Sequence, residues 1–499
     1  MKMEREKIYR ALVPMAALTL ATALSLAGCG GGSNGEEEIL PGRSRPLLEH
    51  DWPHPRDFEF APSTFTPPDA AGALVNTTTG LRAYIIPDAS DPLVRITAAA
   101  PLGRLYEQSG EAGASRLLTE LLTRHGPADP NRPLSLRLES LGTALQMEED
   151  LDVTRISVEV LAEDWQEGLA VLIDVLRRPD FENSVLRHYR TGPGYSTPTS
   201  SASGSGFQPK VELERILAGY PLAPADPGLS VTGQALRALA GRTLGPNRVV
   251  LGVGGNVPRA EVEAALNKLS EGWDSTEEPL RVAELTGEAR VENKLHTIDV
   301  PSLEGWIATG RPVGPVPESE RAAVAVMAHI LGTRLNIAVR EIRGLANRAV
   351  FVLPDTASGA GLWHVKTGGR TEAVAPLVKF CWEEIEKMHQ PSDPITEDEI
   401  EQAKGALVSG SWQAALDGAR QASATYAVET VRRGALDALL QWPEAVRAVT
   451  VQQVKEVAQK YLSAEEMVTV VVGPIDKIRE ARHPRWPVDL SALESTPTS

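Results

Sequence analysis

The feature that most constrains this chain is a unit that occurs twice. TGQALRALAGRTLGPNRVVLGVGGN, residues 232–256, runs from a helically spaced segment into a valine-rich strand ending in glycine, and TVQQVKEVAQKYLSAEEMVTVVVGPID, residues 450–476, does so again. Each unit lies near the end of a segment of roughly 200 residues. An amphipathic helix and a nearly all-apolar strand must both be covered by other layers, so the repeat implies two similarly built α+β halves. Two unrelated domains that both finish on a common helix-strand unit remain the alternative. The polar stretch 271–293 reads as the linker, which places one half at 76–270, the other at 294–480 and a tail at 481–499. Period-two alternation predicts strands over Arg82–Ile86, Leu93–Ala99 and 152–161; helical spacing predicts helices over Gly113–Thr123, Leu134–Leu141 and 164–178. The glycine clusters Gly252–Gly255 and Gly368–Gly369 lack a nucleotide-binding spacing and are expected to be turns.

At 499 residues the chain exceeds a single ordinary core. Its formal net charge of -16 excludes a general nucleic-acid surface, since no cationic excess is available to offset phosphate repulsion. Two cysteines, Cys29 and Cys381, exclude a disulfide framework. Cys381, in VAPLVKFCWEEIEKM, is expected to be an inert core thiol.

Lys2, Arg5, Lys7 and Arg10 precede the apolar run ALVPMAALTLATALSLAG, which meets Cys29. This order describes an export signal, with an uncleaved membrane anchor as the alternative. Leu26-Ala27-Gly28-Cys29 resembles the bacterial lipobox, which implies that Cys29 is lipidated, that residues 1–29 form a lipoprotein signal, and that the protein is held at a membrane. Gly30 after the cysteine implies, by the same resemblance, outer-membrane sorting towards the periplasm. Residues 30–75 read as a flexible tether and extended arm, with Phe58, Phe60 and Phe65 as anchor points.

GLRAYIIPDASDPLVRITAAAPLGRLYEQSGEAGASRLLTELL, residues 80–122, resembles the opening of the insulinase/pitrilysin-type (M16) zinc peptidases, the family of the mitochondrial processing peptidase. LESLGTALQMEEDLDVTRISVEVL at 138–161, ILGTRLNIAVREIRGLANRAV at 330–350 and ITEDEIEQAKGAL at 395–407 follow in the family's order, and 449–474 completes the series. The resemblance implies an α+β fold of two homologous halves, each a mainly antiparallel sheet covered by helices.

Active members of that family carry H-x-x-E-H on the first long helix and a ligating glutamate some 75 residues later. Histidines four apart converge on one zinc ion, and the glutamate activates its water. By the resemblance Arg116 stands at the first histidine position, Thr119 at the glutamate and Glu120 at the second histidine. Arginine offers no lone pair to a metal and threonine is a poor base at neutral pH. Between Glu182 and Glu212 there is no acidic residue for the distal position, and the imidazole there, His188, reads as a helix-surface residue. Arg116 and Glu120 themselves read as an i,i+4 ion pair, either simply structural or filling the former metal cavity. His125 is expected at the end of the helix. Ser115 has no histidine partner for nucleophilic chemistry. In the C-terminal half Arg340 and Asn347 occupy the positions of an arginine and a tyrosine that orient substrate carbonyls in the family; Arg340 can instead pair with Glu341.

No metal or catalytic residue is therefore expected in this chain. The leading expectation is a noncatalytic lipoprotein that pairs with a homologous zinc-bearing subunit to enclose a peptide-processing chamber and to bind peptide. Its rivals are an independent zinc metalloendopeptidase with an atypical site and a membrane-tethered peptide-binding or assembly module without a protease partner.

Overall fold

The computed structural model describes residues 65–126, 133–179, 181, 186–187, 209–217, 231–284, 294–388, 390 and 392–494. The signal segment with Cys29, the tether to residue 64 with Phe58 and Phe60, His188 and most of the window for the distal glutamate lie outside these residues.

Eleven strands form two mixed sheets among the described residues. The first comprises β1 (Leu74–Asn76), β2 (Arg82–Pro87), β3 (Leu93–Ala100), β4 (Gln146–Glu149), β5 (Thr154–Leu161) and β6 (Val250–Gly255), in the order β1-β2-β6-β3-β5-β4. The second comprises β7 (Leu295–Asp299), β8 (Glu304–Val313), β9 (Ala349–Val352), β10 (Gly361–Arg370) and β11 (Val468–Gly473), in the order β7-β11-β8-β10-β9. Leaving out β1, the orders match, and so do the directions: β2/β6 and β7/β11 are parallel and every other pair is antiparallel. Leu74 and Val75, at the end of the arm as read from the sequence, belong to the first sheet through β1. Residues 271–284 hold neither helix nor strand.

The repeated valine-rich strands are central. β6 and β11 are buried along their whole length, whereas β5 alternates because its Thr154, Ile156, Val158 and Val160 face inward. On one face of the first sheet lie α1 (Ala114–Arg124), α2 (Leu134–Ser140) and α3 (Trp165–Arg177), with α5 (Gly233–Thr243) and α6 (Arg259–Ser270); their apolar stripes share a core with Ile96, Val158 and Leu251. Before α5 is α4 (Pro209–Ile216). The second half sets α7 (Glu318–Asn336), α8 (Val374–Lys387), α9 (Glu397–Gly405), α11 (Asp437–Arg447) and α12 (Val451–Tyr461) around Ile307, Val365 and Val471. Thr396 and Thr450 start α9 and α12 with reciprocal capping boxes, and Thr232 accepts the Ala235 amide at the start of α5. Residues Glu318–Glu341, α7 with the π-helical turn after it, are long and apolar enough to cross a bilayer, but here more than half of the most apolar stretch is buried in the core.

The opposite face of each sheet is covered by a helix from the other half. α10 (Ala419–Arg433) lies across β6, β3 and β2, and α4 lies across β11, β8 and β10. Ala422, Tyr426 and Ala427 of α10 pack with Tyr84, Ala99 and Val250, while Leu213 of α4 and the adjoining Leu217 pack with Leu362, Val468 and Val470. This exchange corrects the reading of the glycine clusters as turns: Gly252–Gly255 lie in β6 and Gly368–Gly369 in β10. A Cβ on Gly252 would stand 2.3 Å from the Ser423 carbonyl oxygen, and one on Gly254 2.1 Å from that of Ala419. The glycines let a helix backbone rest directly on the strand.

Candidate functional site

α1 begins at Gly113, whose φ of 83° makes the sharp entry that a side chain would oppose. The donors at its start are satisfied by Glu107, which accepts from the Gly113 amide (2.9 Å), the Ser115 amide (2.9 Å) and the Ser115 hydroxyl (2.6 Å). Ser115 Oγ also lies 3.2 Å from Glu149, the last residue of β4. The hydroxyl has one proton within reach of both carboxylates, so its donation is shared between Glu107 and Glu149. Burial pushes Glu149 above the usual carboxylate range, against the pull of Arg104 and the bond to Ser115. Glu107 is pushed up by burial too, opposed by its bonds to Ser115 and Gly113.

Arg104 closes this polar pocket. Its guanidinium grips Glu214 of α4 with two bonds of 3.1 and 3.2 Å. Burial works against its charge, but Glu214, with Glu149 and Glu107, outweighs that and raises its pKa. Lys210, one turn before Glu214, adds a 3.7 Å contact. The head of α1 is thus tied to the exchanged helix by side chains from four separate segments. Sequence reasoning missed Glu107, Glu149, Arg104 and Glu214. No local spacing links them, and the one available signal was an acidic residue shortly before a serine-bearing helix start.

Along α1 the structure brings Arg116 and Glu120 together, with Nε 3.2 Å from Oε1. The arginine side chain is 50% exposed and the glutamate 12%, so the pair lies at the edge of the buried pocket. Thr119 is fully buried and its hydroxyl donates to the Ser115 carbonyl at 2.9 Å. Buried in this way, Thr119 is shut off from any substrate in solution. Ser115 is also fully buried, which bars it from acting as an exposed nucleophile. His125 is the residue at which α1 ends. Among the described residues no group of three or more His, Cys, Asp and Glu is placed to hold a metal ion.

The C-terminal candidates stand apart from this pocket. Arg340 lies in the π-helical turn Ile337–Glu341 and meets its neighbour Glu341 at 3.3 Å, both well exposed. Asn347 is exposed in the loop before β9. Cys381 is fully buried in α8, where burial pushes its thiol up to about 12.

β4 lies beside α1 at the rim of the first sheet and pairs only with β5 among the described residues. Gln146, Met147 and Glu148 are exposed along it. The Thr123 hydroxyl lies 3.6 Å from the Met147 sulfur, which keeps the helix close to the strand. An open strand edge beside α1 can receive an extended peptide by main-chain pairing.

A second charged cluster spans the two halves. Arg432 of α10, with 1% of its side chain exposed, reaches Asp150 (2.7 Å) and Asp152 (3.3 Å) after β4, and Asp355 (2.6 Å) and Glu429 (3.3 Å) in the second half. Asp152 also accepts the Ala357 amide at 2.7 Å. Burial raises Asp150 and Asp152 above the usual range despite the guanidinium between them.

Residues 230–407 match the family profile described as peptidase M16 inactive domain. No curated protein matches the sequence. Among solved structures, a peptidase M16 inactive domain from Pseudomonas fluorescens is 19% identical, with a TM-score of 0.64, covering 80% of this chain and 98% of that one. A protease from Helicobacter pylori is 14% identical with a TM-score of 0.65, covering 80% and 99%, and a putative M16-like peptidase from Alicyclobacillus acidocaldarius is 14% identical with a TM-score of 0.63, covering 80% and 97%.

Proposed function

We propose that this chain, a homologue of the M16 peptidases with no metal-binding cluster among its described residues, works as the noncatalytic subunit of a peptide-processing pair. The observation that carries the reading is the state of α1. At the metal position Arg116 is closed onto Glu120 and Thr119 onto its own helix, while the neighbouring edge of β4 stays open. What is kept is a surface able to bind an extended peptide; what is replaced is the chemistry that would cut it. The matched strand orders of the two sheets support an internal duplication. A homologous zinc-bearing partner would supply hydrolysis and face this chain across a chamber, with Arg340 and Asn347 as candidate contacts to substrate carbonyls. Lipidation at Cys29 would hold the pair at a membrane, in the periplasm of a bacterium with an outer membrane.

The test is a cleavage assay with this chain alone, a zinc-bearing homologue encoded nearby alone, and both together. Turnover that needs both chains and is lost with a chelator is the expected result. Stoichiometric zinc with chelator-sensitive turnover by this chain alone overturns the proposal in favour of an independent peptidase. Peptide binding with no effect on any such partner overturns it in favour of a tethered binding module.

A further inference from the structure

The π-helical turn that ends α7 is a rare form of helix, frequent at functional sites. Here it sets two large apolar side chains near each other. The Ile342 amide donates to the Ile337 carbonyl at 2.9 Å, so the two isoleucines lie one wide turn apart, and they are 65% and 45% exposed. The chain then folds back on the turn: Gly344, at a φ of 62°, donates its amide to the Arg340 carbonyl at 3.0 Å, and Leu345 donates to that of Val339 at 2.8 Å. The Asn336 side chain holds the first residue of β9, accepting from the Ala349 amide (3.0 Å) and donating to the Ala349 carbonyl (2.6 Å), which sets Arg348 beside the start of the turn.

The charges on this surface are cationic and uncompensated. Arg340 and Glu341 pair with each other, but neither Arg343 nor Arg348 has an ion-pair partner among the described residues. Arg343 is held in place all the same. Its guanidinium lies 3.9 Å from the centre of the Phe380 ring and 5.3 Å from that of Trp486, and Nη1 donates to the Ala338 carbonyl at 2.7 Å. Its Nε is buried and has no acceptor. A guanidinium already fixed by stacking loses little freedom when a carboxylate binds it. Arg348 is exposed next to it in the chain's return to β9. Two isoleucines are too little apolar surface for a stable subunit interface or for insertion into a bilayer, and they suit one side chain of an extended peptide. A second copy of this chain is disfavoured by its net charge of -16.

We infer that this surface takes an acidic peptide segment, with an apolar side chain against Ile337 and Ile342 and flanking carboxylates on Arg343 and Arg348. The inference rests on the peptide-binding part of the function proposed above and names the class of peptide. The test uses the full chain alone and a fluorescein-labelled peptide, Glu-Leu-Glu-Leu-Glu-Gly, followed by fluorescence anisotropy. Saturable binding with a Kd of about 0.3 mM or tighter is expected, and binding about tenfold weaker or more for the same peptide with glutamine in place of each glutamate. Ile342→Ser and Arg348→Gln should each weaken binding by about fivefold to tenfold with the melting temperature unchanged, since both side chains are exposed. No saturation up to about 3 mM, wild-type affinity in both variants, or equal binding of the glutamine peptide overturns the inference; the last is what main-chain pairing at β4 would give. Absence of peptide binding together with cosedimentation on phosphatidylglycerol vesicles that both variants lose overturns it in favour of a membrane surface. Because no second subunit is present, failure of this site and failure of the processing pair are read separately.

Discussion

Replacing Arg432 with methionine tests the charge cluster that joins the two halves. Methionine keeps most of the packing volume and removes the cation that bridges Asp150, Asp152, Asp355 and Glu429. Asp355 is 66% exposed and water will restore much of what it loses, and Glu429 keeps its pair with Arg433, but Asp152 is 4% exposed. Leaving such a carboxylate without its cation costs about 3–5 kcal/mol. The compact unit from Phe65 onward has roughly 430 residues, and at about 2.1 cal/mol/K per residue its unfolding entropy is near 0.9 kcal/mol/K, so the melting temperature should fall by about 3–6 °C. The pH dependence separates this mechanism from simple loss of packing. Asp150 and Asp152 already have raised pKa values in the folded protein, so the stability their protonated forms contribute is full below the unfolded pKa and lost as pH rises through the folded one. Without Arg432 those folded values move higher still. The deficit of the variant should therefore be largest at pH 8 and shrink by pH 5, measured by calorimetry at both. An equal deficit at the two values, or one below about 1 °C, refutes the charge argument.

Four further outcomes are expected. Gly254→Ala should destabilise by at least about 1–3 kcal/mol and make α10 a site of limited proteolysis, because the added methyl meets the Ala419 carbonyl; Gly241→Ala, in an exposed turn of α5 with open space around it, should stabilise by up to about 1 kcal/mol, and both are read by thermal melts. Arg116→Ala should change stability by no more than about 0.5 kcal/mol in denaturant titration, since its i,i+4 partner is met at a half-exposed site. His364, buried in β10 and lowered by burial to about 4, should show no imidazole titration by NMR between pH 8 and 5; the stability it contributes as a neutral ring is complete above its unfolded pKa and falls as pH drops towards 4. Cys381 should resist a thiol reagent in the native protein and react at the rate of unfolding.

Much of each half was legible because the information is local. TRISVEVL alternates and is a strand with alternate burial; the runs after Thr232 and Thr450 are helices that those threonines cap. The pair Arg116–Glu120 could be read because helical geometry alone fixes neighbours four apart. What depends on distant segments was not legible. Glu107 and Glu149 converge on Ser115 from either side of α1 and its following helix, and Arg432 gathers partners from residues 150, 152, 355 and 429. Such groups are brought together by the sheet order and carry no spacing of their own.

The glycine-rich end of β6 shows how a local rule fails for a physical reason. Clustered glycines are read as turns because they permit positive φ, yet Gly252 and Gly254 serve through the absence of a side chain. The helix that requires it, α10, begins more than 160 residues later and brings Ala419, Ser423 and Ala424 to the contact, so small residues on both surfaces allow backbone to meet backbone. The same helix carries Arg432, which bonds the turn immediately after β4. The open edge of β4 and the exchanged helix are therefore joined through Arg432. Loosening α10 at Gly254 should disturb the position of β4 as well as global stability, which links the packing of a central strand to the binding proposed at the sheet's rim.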